Sequence, residues 1–119
     1  MAYDEYFAET IDRVLLDKGV VYEHKRMFGG LVYMVNEKMC FGLDTDKGSG
    51  EARLMLRIDP KDYDDMLQKY GAREMDFTGT PMKGFIFVHA EALEDEEELS
   101  EWLQFALDFN PKAKKSKKL

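Results

Sequence analysis

Cysteine is nearly missing from this 119-residue chain: Cys40 stands alone, so no intrachain disulfide can form, as expected in a reducing compartment. The fold must therefore be held by its core. Histidine occurs only at His24 and His89, and neither shares a paired-ligand spacing with Cys40, so a metal centre would have to recruit scattered carboxylates. Serine is confined to Ser49, Ser100 and Ser116, in a loop, a helix and a tail. A Ser-His-acid arrangement thus has no nucleophile on a rigid turn. No apolar run approaches the ~18 residues of a membrane span, and Ala2-Tyr3-Asp4-Glu5 lacks the basic-then-apolar order of a secretory signal. The expectation is a cytoplasmic protein with no metal, no cofactor and no enzymatic activity.

Positive charge is also scarce where it would matter for nucleic acid. Of 17 basic residues, Lys112, Lys114, Lys115, Lys117 and Lys118 follow the last apolar stripe, which leaves 12 against 24 acidic side chains in the body. An acidic body repels phosphate backbones at long range. What is present is a core: 45% hydrophobic and 13% aromatic residues place the chain among globular proteins of one domain. That body is expected over residues 1–109, followed by a disordered lysine-rich tail at 110–119.

Phe7, Ile11, Val14 and Leu15 form one stripe of a helix over 4–18, with Asp4 to cap it and Gly19 to stop it. "VVYEHKRMF" reads as a short strand or an extended lead-in. Leu31, Tyr33 and Val35, then Met39, Phe41 and Leu43, give two period-two runs joined by "NEK", the pattern of a hairpin. After the mobile-looking "TDKGSGEA", Leu54, Leu56 and Ile58 alternate with Arg53, Met55 and Arg57 in a further strand. Asp59-Pro60 then starts a helix over about 60–70 with Tyr63, Met66, Leu67 and Tyr70 as its stripe. "AREMDF" and "GFIFVH" read as strands separated by the turn "TGTPMK". Asp95 and Glu98 open a last helix that buries Leu99, Trp102, Leu103 and Ala106. The order α-β(3)-α-β(2)-α predicts an α+β fold, a two-layer α/β sandwich with a mainly antiparallel sheet.

"RMFGGLVYMVNEKMCFGL", "LRIDPKDYDDML", "PMKGFIFV" and "ALEDEEELSEWLQFAL", in that order, resemble the N-terminal domain of TfoX, also called Sxy, the bacterial regulator of natural competence. The similarity runs over about residues 7–108. It implies the same α-β(3)-α-β(2)-α domain and a non-enzymatic, regulatory role exercised through protein contacts, in which full-length members help a DNA-bound transcription activator. Full-length members also carry a helical C-terminal domain, whereas this chain ends in lysines, which makes a stand-alone relative of the N-terminal domain the expectation. The resemblance brings no catalytic residue with it.

Gly29-Gly30 precedes a strand, not the helix a phosphate cradle needs. It reads either as a structural bend that lets backbones approach or as part of an exposed rim that touches a partner. In the second reading Lys25 and Arg26 supply charge, Met27 and Phe28 adaptable apolar area, and Arg53 and Arg57 flank the surface. "GTPMKG" at 79–84 and "GSG" at 48–50 lead into strands and read as turns. If helices cover one side of the sheet, the other shows Val32, Met34, Cys40, Met55 and either Phe85 and Phe87 or Ile86 and Val88. Such a face needs a second cover, a helix or another chain, with a homodimer as one form. Nucleic-acid binding through Lys112, Lys114, Lys115, Lys117 and Lys118 is the alternative function.

Overall fold

In the computed structural model, which describes residues 4–27, 30–46, 48, 50–74 and 84–113, Asp4 caps α1 (Glu5–Asp17) by accepting from the Tyr6 amide at 2.8 Å. Gly19, at φ 71°, takes the left-handed position that ends it. Six strands follow in one antiparallel sheet: β1 (Glu23–Met27), β2 (Gly30–Val35), β3 (Lys38–Thr45), β4 (Ala52–Arg57), β5 (Ala72–Glu74) and β6 (Phe85–His89). Their spatial order is β1-β2-β3-β4-β6-β5. Between β4 and β5 lie a 3-10 turn at Pro60–Asp62 and the short α2 (Tyr63–Leu67), and α3 (Glu96–Phe109) closes the chain's last layer.

The α+β architecture and the antiparallel sheet agree with the pattern read from sequence; one strand is added. β1 settles the ambiguity at "VVYEHKRMF": it is a strand whose first four residues are all exposed. An edge strand with neither face buried has no hydrophobic alternation to display. The second helix is also shorter than its stripe implied. Tyr63 and Met66 are buried, but Tyr70 lies past the end of α2 and is 70% exposed, just before Gly71 at φ 86°. "TGTPMK" and the end of "AREMDF" lie outside the described residues.

The β2–β3 turn uses Asn36 and Glu37, both at positive φ (53° and 66°), the geometry of the tight hairpin turn that suits strand twist. Glutamate is an unusual occupant. The turn is held from the helical layer: Asn36 Nδ2 donates to Asn110 Oδ1 at 2.8 Å, and Asn110 Nδ2 donates to the Val35 carbonyl at 3.0 Å. Composition places the end of the body at Phe109, yet Asn110–Lys112 form a 3-10 turn and Asn110 and Ala113 are buried, so the packed body runs on to Ala113.

Among the described residues the helices lie on one side of the sheet. α1 and α3 bury Ile11, Val14, Leu15, Leu99, Trp102 and Leu103 against Tyr33, Phe41, Leu43, Leu54, Leu56, Ile86 and Val88. Asp95 caps α3 through the Glu97 amide at 2.9 Å, and Arg13 of α1 pairs with Glu96 across the two helices. Among the described residues no helix is long and apolar enough to cross a membrane.

Candidate interaction surface

The register carries a row of side chains across the side of the sheet opposite the helices: Lys25 faces Val32, Val32 faces Gly42, Gly42 faces Met55, Met55 faces Phe87, and Phe87 faces Arg73. Met55 and Phe87 form their own cluster with Met39 and Phe85 against them, separate from the core beneath the helices. Of the two pairs weighed from sequence, Phe85 and Phe87 therefore occupy this face, while Ile86 and Val88 join the core. Gly42 leaves a shallow depression of about 20 Å³, lined by Met27, Gly30, Val32, Gly42, Met55 and Phe87 among others. Its walls are mostly apolar, and Gly42 contributes no side chain to fill it.

Cys40 does not join this surface. A register shift between Tyr33 and Met34 moves the pairing from Phe41 to Met39, leaving Cys40 as the extra residue of a β-bulge. The bulge turns it into the helix-side core, where it is 1% exposed. Burial pushes its thiol up to about 12, with the nearby Arg57 pulling weakly the other way, so it stays protonated and inert.

Period two divides the predicted rim. His24 packs edge-on against Tyr33, with ring centroids 5.6 Å apart, so His24 and Arg26 lie on the helix side of β1, whereas Lys25 and Met27 lie on the open side. Lys25 and Arg26 thus do not act as one patch. Gly30 is buried at the start of β2, and a Cβ there would collide with the Leu43 carbonyl oxygen and Asp44 Cβ. Close backbone approach is what this glycine permits, and a strand follows it. Phe28 and Gly29 lie outside the described residues.

Arg53 and Arg57 are on the open face, but they are engaged by it. Arg53 donates through Nε and Nη2 to the two carboxylate oxygens of Asp44 at 2.8 and 3.2 Å, and its guanidinium lies 3.8 Å from the centre of the Phe87 ring. The ion pair is four-fifths buried, which fixes the fork in place. Arg57 donates to the Met39 carbonyl at 3.4 Å and lies 6.0 Å over Phe85. The two arginines roof the aromatic rings. Sequence reasoning missed Asp44 and Gly42 as members of this surface, although a glycine between Phe41 and Leu43 in an alternating strand was a signal. Lys112 is exposed at the end of the last 3-10 turn; Lys114, Lys115, Lys117 and Lys118 lie outside the described residues.

The model of the TfoX N-terminal domain matches residues 15–110. The chain belongs to that family. A crystal structure of a protein from Pseudomonas syringae is similar over 87% of this chain and 97% of its own, with a TM-score of 0.62 at 12% identity, a likeness of fold. No curated protein matches. Among the described residues of this TfoX N-terminal domain, no helix lies over the Met55–Phe87 side of the sheet.

Proposed function

We propose that this TfoX N-terminal domain is a cytoplasmic, non-enzymatic regulatory module that captures a protein partner on the open face of its sheet. The observation that carries the reading is the apolar row Val32–Gly42–Met55–Phe87, over which no helix lies among the described residues. The partner that fits is a protein segment placing one apolar side chain in the depression at Gly42 and a carboxylate beside Lys25. Methionines at 27, 34, 39 and 55 give the surface the adaptability that such capture uses. The resemblance to TfoX makes a transcription activator the first partner to test.

Affinity purification from native cells, with wild-type chain and a Lys25→Glu variant as baits, tests this. One protein captured by the wild type, lost with the variant, and bound by the purified wild type in calorimetry supports the proposal. At a concentration where both proteins are monomeric the variant keeps its melting temperature, because the Lys25 side chain is exposed. Equal capture by both baits, or no partner at all, overturns it.

A further inference from the structure

The outer edge of β1 offers a different surface. β1 is the terminal strand; β2 occupies one side of it, and among the described residues no strand pairs with the other. Glu23, His24, Lys25 and Arg26 are exposed, and Val21 just before them is 89% exposed. Side-chain direction alternates along the segment. Tyr22 donates to Asp12 of α1 at 2.7 Å and, with His24, packs against Tyr33 on the helix side. Glu23 faces Met34 and Lys25 faces Val32, which puts both on the open side, and Val21, Tyr22, Glu23 and Lys25 line one concavity with Met34.

We propose that two copies of this chain pair antiparallel along β1, about a twofold axis through His24, joining two six-stranded sheets into one. Facing residues of antiparallel strands point to the same side of the sheet, and a twofold axis normal to the sheet keeps the helices of both copies together. Odd positions must then face odd positions and even face even. An axis on Glu23, Lys25 or Arg26 sets that charge against its own copy, which is repulsive. An axis on His24 places Glu23 opposite Lys25 of the second copy, twice over, and carries Val21 onto Met27 and Tyr22 onto Arg26. Each contact is complementary: ion pair, apolar pair, and cation over aromatic ring.

A lysine on a strand edge ordinarily deters pairing. Here the glutamate two residues before it makes the edge self-complementary in one register and repulsive in its neighbours, which is the signature of a selected contact rather than a blunted edge. The pairing also places the two open faces side by side in one continuous surface. This inference does not rest on which partner that face takes.

Light scattering and sedimentation across a concentration series test it. The wild type is expected as a concentration-dependent dimer of the 13.9 kDa chain. Lys25→Glu and Glu23→Lys, each alone, weaken the dimer about tenfold or more, because they oppose like charges twice. The combined Glu23→Lys/Lys25→Glu swap restores it. His24→Cys is expected to form a disulfide-linked dimer under mild oxidation, since facing Cα atoms of antiparallel strands lie about 4.5–5.5 Å apart, within disulfide reach. Cys40 is buried and does not compete. A monomer up to millimolar concentration overturns the inference, as does a dimer indifferent to the charge swaps. Loss of partner capture in the variants without any change of mass would do the same while leaving the proposed function intact.

Discussion

On the helix side of the sheet, Phe41, Leu43, Leu54, Leu56, Ile86 and Val88 are at most 1% exposed; on the open side, where no helix lies among the described residues, Val32, Met55 and Phe87 are 3%, 8% and 4% exposed. The first group is buried by other elements, so its burial is lost only when the layers separate. In the second group, Arg53 lies 3.8 Å from the centre of the Phe87 ring, and Met39 and Phe85 pack against Met55 and Phe87. Covering by long cationic side chains is reversible, because their heads stay near water while their stems shield the rings.

The sharpest way to break this comparison is to remove matched volumes from the two sides. Leu56→Ala, which removes a side chain of about the size of methionine from the closed core, should destabilise the fold by about 3–5 kcal/mol. Met55→Ala, on the side where neighbours can collapse, should cost no more than about 2 kcal/mol. Equal losses in urea denaturation would mean that the open face is as closed as the core.

Glycines sharpen it next. At Gly30 an added Cβ meets backbone and Asp44 Cβ, so Gly30→Ala should cost about 1–3 kcal/mol through overpacking. At Gly42 the nearest contacts are 3.3 Å, to the Leu31 carbonyl oxygen and the Met55 terminal methyl, and the methyl can yield. Gly42→Ala should therefore cost less than about 1 kcal/mol while partly filling the depression. Thermal melts of the two variants check the ranking; a reversed order would place the tight contact on the wrong glycine.

The smallest effect concerns the junction of α1 and the start of β1. Burial and then the hydrogen bond to Asp12 push the Tyr22 hydroxyl from 10.0 up to about 12. The folded state thus holds this proton more tightly than the unfolded chain, so the stabilisation is complete below pH 10 and is lost as pH rises through about 12. Tyr22→Phe should lower stability at neutral pH by about 1 kcal/mol and flatten the alkaline decline. The comparison belongs in a Cys40→Ala background, since Cys40 rises from 9.0 to about 12 and titrates in an overlapping window. An alkaline decline as steep in the Phe variant as in its parent would remove Tyr22 from the account.

Much of the frame was legible from local sequence. Asp4 and Asp95 cap α1 and α3 as expected, Asp59 caps the 3-10 turn that leads into α2, and Leu54, Leu56, Phe85 and Phe87 take the faces that alternation gave or allowed. The candidate surface was less legible. Lys25 and Arg26, adjacent in sequence, are separated by the pleat, and Arg53 looked free until β3 brought Asp44 beside it.

By itself the sequence determined where helices begin and which side chains share a strand face, because caps and periodicity are set by residues within a turn or two of each other. Only the tertiary structure decided that β1 is an edge, that a bulge withdraws Cys40 into the core, and that two arginines spend their charge on their own sheet. Those outcomes depend on strand pairing and register, which are fixed by burying one whole face at once and leave no mark on any single segment.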